Sequence, residues 1–149
     1  MKILVDADAC PVKDIILKIA SEFKLPVLMF VDTSHLLSSS DPMVTIITVD
    51  KAMDSADFAL TNRTEAGDVA ITSDYGLASM LLAKRAYVVH PNGFSYDESN
   101  IDRMLFERHL SREMRRQKRG HTRIKKRSIE NDEAFETYFR SLCKKLTTQ

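Results

Sequence analysis

Asp6 and Asp8 stand one residue apart in the stretch Ile3-Leu4-Val5-Asp6-Ala7-Asp8-Ala9-Cys10-Pro11. Three apolar residues run straight into two carboxylates, and a proline suited to the first turn of a helix follows. Like charges this close repel unless a cation or a proton settles them. Three more acids share the pattern. Asp74 lies two residues past the apolar run 69–72 in GDVAITSD, and Asp54 and Asp57 are spaced i, i+3 at the start of a predicted helix, which puts both on one face. A set of carboxylates without His or Cys suits Mg²⁺ or Mn²⁺, cations that prefer oxygen ligands and activate water against a phosphodiester.

The elements that must position these acids alternate. Residues 2–6, 27–31, 44–49, 69–72 and 86–89 are short apolar runs rich in β-branched residues and are predicted strands. Between the first two, Val12, Ile15, Ile16, Ile19, Ala20 and Phe23 follow helical spacing, and Pro26 stops the helix. A short helix is expected over 54–62, and another after Asp74, which is placed as its N-cap. Strands separated by helices imply parallel pairing through right-handed crossovers, and ligands in such sheets sit outside the carboxyl ends of the strands. Asp6, Asp8 and Asp74 fall at such ends. If the first and fourth strands are neighbours, the acids converge.

After His90-Pro91-Asn92-Gly93, a predicted turn, the pattern becomes helix only. One amphipathic helix is expected over 97–117, with Ile101, Leu105 and Met114 among its apolar positions. A second spans 131–146, with Phe135, Tyr138, Phe139, Leu142 and Leu146 as core. The expectation is a single α/β domain with a three-layer α/β/α arrangement and a mostly parallel sheet of about five strands. Its core is 1–96, and helices over 97–149 pack on it.

The net charge of +1 hides an asymmetry. Residues 108–127 hold ten Lys or Arg against Glu113 alone, and the other 129 residues hold 12 basic and 20 acidic side chains. A basic segment on an acidic body points to a polyanionic partner, or to head-to-tail pairing with a second copy. Arg115, Arg116, Arg119, Arg123, Lys125, Lys126 and Arg127 are the expected phosphate contacts. No aromatic stands among them, so backbone tracking is expected rather than base reading. No apolar run approaches the roughly 18 residues that span a bilayer, and the start of the chain lacks a signal pattern, so a cytoplasmic location without membrane contact is expected. Cys10 and Cys143 have no metal or disulfide spacing.

The stretches DADACPVK (6–13), DSAD (54–57), GDVAITSDYGLA (67–78), HPNGFSY (90–96) and NID (100–102), with the Arg-rich run near 115–127, resemble the YaiI/YqxD family of bacterial proteins. That family is placed with the PIN-like nucleases and has no assigned activity. The resemblance covers nearly the whole chain and implies a PIN-like fold. It also implies roles: Asp6 as the first-strand metal ligand, Asp57 as the helix acid, Asp74 as the acid after the fourth strand, with Asp8 and Asp54 as additional acids. One departure stands out. The glutamate that PIN nucleases usually supply from an earlier helix has no match, because Glu22 lies too far along the first helix.

Plainer roles compete with these. Asp8 and Asp54 are also placed to cap helices, Asp68 beside Gly67 has the character of a turn residue, and His35, His90 and His109 fit structural or surface positions. Three functions follow from different classes: a Mg²⁺- or Mn²⁺-dependent nuclease acting on RNA, a non-catalytic nucleic-acid or ribosome-associated binding protein, and an aspartate-based phosphatase with Asp6 as nucleophile and Asp8 as acid or base.

Overall fold

The computed structural model describes residues 1–8, 10–32, 38–50, 56–118 and 126–148. Among these residues six strands form one sheet: β1 (Ile3–Asp6), β2 (Val27–Asp32), β3 (Val44–Val49), β4 (Val69–Ile71), β5 (Tyr87–His90) and β6 (Phe94–Tyr96), in the order β3-β2-β1-β4-β5-β6. The first five are parallel, and β6 pairs antiparallel with β5. The chain winds outward from β1 through β2 to β3, then returns to the other side of β1 to start β4. The strand order therefore reverses between β1 and β4, and at that point a crevice opens beyond the carboxyl ends. The first and fourth strands are neighbours, as convergence of the acids requires.

Five helices among the described residues cover the sheet: α1 (Lys13–Phe23), α2 (Ala56–Arg63), α3 (Tyr75–Ala83), α4 (Glu98–Lys118) and α5 (Ile129–Thr147). In β1, side chains alternate between faces, and both faces are buried. Ile3 and Val5 join Ile16 and Ile19 of α1 and Phe135 and Phe139 of α5, whereas Leu4 joins Leu60, Leu77, Leu81 and Ile101 from α2, α3 and α4. Two helices on one face and three on the other make three layers. Phe135 and Phe139 stack with ring centroids 5.3 Å apart, so the apolar positions expected of the last helix do form core.

Two expectations need correction. Strand β6 falls where only helix was expected after the turn; its three residues are too few to show periodicity, and pairing with β5 supplies what local sequence does not. Met114 is 52% exposed, because α4 packs on α3 through Ile101, Met104 and Leu105 and then runs past the body, leaving Phe106, Leu110 and Met114 uncovered. Asp68 is the turn residue expected of it, its N–H donating to the Glu65 carbonyl at 3.1 Å, and it does more. It is 3% exposed at the amino edge of the sheet, where it accepts the Lys2 ammonium at 2.7 Å and the backbone N–H groups of Lys2 and Glu65.

Burial alone would push the Asp68 carboxyl up, but the hydrogen bonds and charge of Lys2 and the Glu65 amide outweigh it and hold the group below its usual 3.8. A depressed acid contributes stability above its unfolded value and loses it as pH falls through the folded one. Asp68→Asn should therefore cost about 2 kcal/mol at neutral pH, since the Lys2 ammonium loses its buried partner. The cost should shrink as pH is brought below 3.8 and through the lowered folded value, where the parent is itself losing the pair. Urea melts at neutral pH and across that range check this.

Helix α5 is fixed to the β5–β6 turn at Gly93, whose φ is +92°. A Cβ there would lie 2.6 Å from the backbone carbon and oxygen of Ala134 and 2.7 Å from the nitrogen of Phe135. Both the left-handed backbone and the close approach exclude a side chain. Gly93→Ala is expected to cost about 2–4 kcal/mol in urea unfolding, through strain and displacement of α5.

Candidate functional site

Asp6, Asp57 and Asp74 gather at the β1–β4 switch point because Asp6 is the first polar residue after an apolar strand, and Asp57 and Asp74 open helices α2 and α3. Asp6 closes β1, and its Oδ2 accepts the Thr72 hydroxyl at 3.0 Å. The same Thr72 oxygen accepts the backbone N–H of Asp74 at 3.0 Å, so one buried threonine ties the end of β1 to the start of α3. Asp74 is the N-cap that was expected: its Oδ1 accepts the N–H groups of Gly76 at 2.8 Å and Leu77 at 3.2 Å. Asp57 lies in the first turn of α2, which packs against β1 and β2.

The electrostatics of Asp6 are those of a compressed negative charge. Burial pushes its carboxyl above the ordinary 3.8; the Thr72 hydroxyl opposes this, and the charges of Asp57, Asp74 and Asp8 push it further up. Asp57 is also raised, by burial and then by Asp74. Among the described residues no cation stands within ion-pair distance of Asp6. Two cations lie nearby: Arg108 of α4 approaches Asp74 Oδ1 at 3.7 Å, and the Lys13 ammonium donates to the Ala7 carbonyl at 2.9 Å, in the loop between Asp6 and Asp8.

Asp8 does not cap α1. Residue 12 occupies the N-cap position of α1 and makes no side-chain capping bond, whereas Asp8 accepts the backbone N–H of Asp32 through both oxygens, at 3.2 and 3.0 Å. The register explains why: Asp6 is level with Phe30, which puts Asp8 level with Asp32. Asp32 itself, 7% exposed at the carboxyl end of β2, is an acid that sequence reasoning missed. The signal was there, since Phe-Val-Asp ends β2 as Leu-Val-Asp ends β1. Thr72 and Lys13 were also missed, and only the tertiary contacts reveal them. Asp54 lies outside the described residues. Among those that are described, no three His, Cys, Asp or Glu side chains stand close enough to hold a metal ion. Glu22 is far from the acids, exposed and paired with Arg140 at 2.9 and 3.0 Å.

The basic segment begins and ends at this edge. Arg108 meets Asp74 at its start. At its end, Lys126 and Arg127 line an open cleft of about 620 Å³ with Pro11, Ser73, His90, Asn92 and Asn131. Arg127 differs from the free phosphate contact expected of it. Its guanidinium donates to Asp132 at 2.6 Å, to Asn92 Oδ1 at 2.8 Å and to the Pro91 carbonyl at 2.6 Å, which clamps α5 to the β5–β6 turn. On α4, Arg115 donates to the Ser111 carbonyl at 3.2 Å and Arg116 lies 3.6 Å from Glu113; both remain exposed, as does Arg112. Arg119, Arg123 and Lys125 lie outside the described residues. Neither thiol belongs to the site: Cys10 is buried and raised by that burial, and burial pushes Cys143 up to about 12.

No helix among the described residues is long and apolar enough to cross a membrane. No solved structure matches the chain. A family profile described as "Uncharacterized BCR, YaiI/YqxD family" matches residues 4–145. A "UPF0178 protein" of Ruminiclostridium cellulolyticum is 56% identical over 136 residues, which is 91% of this chain and 88% of that protein. Those of Alkaliphilus oremlandii and Clostridium acetobutylicum are 51% and 47% identical, covering 93% and 95% of this chain and 88% and 96% of theirs. With a match that runs from β1 almost to the end of α5 and relatives this similar along their length, the chain belongs to the YaiI/YqxD family.

Proposed function

We propose that the protein is a phosphodiester hydrolase acting on single-stranded nucleic acid, with RNA as its substrate and Mg²⁺ or Mn²⁺ as its cofactor. The observation that carries this reading is the position of Asp6: half-buried at the strand-order switch, pressed by Asp8, Asp57 and Asp74, and without a cation in ion-pair reach among the described residues. A fold seldom retains such repulsion without a use for it. The donor set, carboxylates without nitrogen or sulfur, fits a hard divalent cation. A cation bound there would offset the acids and polarise a scissile phosphate. The choice of RNA follows from the PIN-like resemblance of the acid pattern.

The chain's own residues have separable tasks. Thr72 holds Asp6 and the backbone of Asp74 in register, and Asp8 holds the end of β2 against the β1 loop. Asp6 and Asp57, whose charged forms are disfavoured by burial and by neighbouring acids, would be relieved of that repulsion as positive charge enters. Arg108 and the exposed arginines of α4 would carry the nucleic-acid backbone toward the acids.

One observation favours a second reading, a binding protein without chemistry: no three of the described acids stand in a metal-holding arrangement. A thermal-shift titration separates the two. The hydrolase reading expects Mn²⁺ to stabilise the parent and to leave Asp6→Asn almost unchanged. Equal stabilisation of both proteins, or of neither, would favour the binding protein.

A further inference from the structure

The cleft between the β5–β6 turn and the start of α5 is separate from the acids, yet it borders them through Ser73, next to Asp74, and through Pro11, which follows the Asp6–Asp8 loop. Its polar lining is biased toward donors. Asn92 Oδ1 is taken by Arg127, and Asn131 Oδ1 by the N–H and hydroxyl of Ser128, so each amide turns its NH₂ group to other partners. Neither NH₂ group, nor the Lys126 ammonium, nor the Ser73 hydroxyl has a hydrogen-bond partner among the described residues. His90 Nδ1 accepts the Asn92 N–H at 2.9 Å; burial and then the Arg127 charge bring the imidazole down to about 4, so near neutral pH it is uncharged with its proton on Nε2. No carboxylate lines the cleft among the described residues.

A lining of one ammonium, two amide NH₂ groups, an imidazole N–H and a hydroxyl has few acceptors to offer an incoming donor. It suits a ligand made of acceptors that carries negative charge. A phosphate monoester meets that description, with three terminal oxygens able to take several donors at once. We propose that this cleft is a phosphomonoester subsite that seats the phosphorylated end of a nucleic-acid strand, so that the first linkages of the strand lie over the acids beside it. The assignment of the phosphate to a strand end rests on the hydrolase reading; phosphate binding by the cleft does not.

The test uses the full chain in EDTA, so that no cation bridges phosphate to the acids. Inorganic phosphate is titrated while the side-chain amide signals of Asn92 and Asn131 are followed by NMR. Saturable shifts of both are expected, with the affinity reduced at least tenfold by Lys126→Glu and, independently, by Ser73→Glu. Both positions are exposed, so neither change disturbs the core. Asp6→Asn removes a nearby like charge and should keep or tighten the binding. Phosphate that leaves the two amides unmoved, or binds both glutamate variants as tightly as the parent, overturns the subsite.

The source of the phosphate is tested with oligonucleotides bearing a 5′-phosphate, a 3′-phosphate or hydroxyls at both ends. At least tenfold tighter binding of one phosphorylated form, abolished by Lys126→Glu, supports the strand end and tells which one. Equal binding of all three, or a free mononucleotide that binds as tightly as the phosphorylated strand, overturns it. Amide shifts that persist in a protein that never cleaves would remove the hydrolase reading while leaving the phosphate site standing.

Discussion

Asp6→Asn is expected to stabilise the metal-free protein and to lower metal-dependent cleavage at least a hundredfold. The two effects share a cause. In the folded protein the Asp6 carboxyl titrates above 3.8, because burial and three neighbouring acids disfavour its charge. An acid whose folded value is raised binds its proton more tightly folded than unfolded, so its contribution to stability falls as pH rises through that window. At neutral pH the penalty is present in full, and a neutral asparagine of the same shape removes it. The thermal midpoint should rise by about 2–4 °C at pH 7 and be nearly unchanged near pH 3, where the parent is protonated. Scanning calorimetry at both values reads this directly. The loss of cleavage would follow from removing a charged oxygen ligand at the centre of the acids. An asparagine variant less stable than the parent at neutral pH would instead mark Asp6 as a structural acid held by Thr72.

The second large effect is expected from α4. Reversing three exposed charges, Arg112→Glu, Arg115→Glu and Arg116→Glu together, should weaken single-stranded RNA binding about a thousandfold at low salt. It should also make the slope of log affinity against log salt shallower by about 2. The three line a shallow groove along the part of α4 that extends past the body, with His109 and Glu113. Stability should move by less than about 0.5 kcal/mol, since none is buried. Fluorescence anisotropy over a salt series checks the slope as well as the affinity. Phe106, 61% exposed one turn before Leu110, gives α4 an exposed aromatic that the basic run itself lacks. A contribution of base stacking would survive in high salt and be removed by Phe106→Ala.

Much of the architecture was legible because its signals are local. Buried parallel strands are short continuous apolar runs, and β1, β2, β4 and β5 stood out as such on both sides of helices with clear periodicity. The N-cap role of Asp74 was legible for the same reason, since a cap is a relation among four consecutive residues. What escaped was non-local. Strand β6 exists because β5 pairs with it, Asp8 anchors Asp32 because of the β1–β2 register, and the role of Thr72 as a tie depends on β1 and β4 being neighbours. Arg127 shows the same limit from the other direction. A charge run in a sequence looks uniform, yet one of its arginines is a structural clamp with three protein acceptors, while those on α4 stay exposed. His90, assigned to a structural or surface role on spacing, lines the cleft because the β5–β6 turn brings it beside Asn92 and α5.

The convergence of Asp6, Asp57 and Asp74 as a hydrolytic centre is tested most directly by incubating purified protein with end-labelled single-stranded RNA in Mn²⁺ or Mg²⁺, alongside EDTA and Asp6→Asn controls. Shortened RNA is expected with the parent and a divalent cation, and intact RNA in both controls. RNA that is bound in a salt-dependent manner but stays intact with the parent in either cation would contradict it, and would leave a nucleic-acid-binding protein built around a cluster of unused acids.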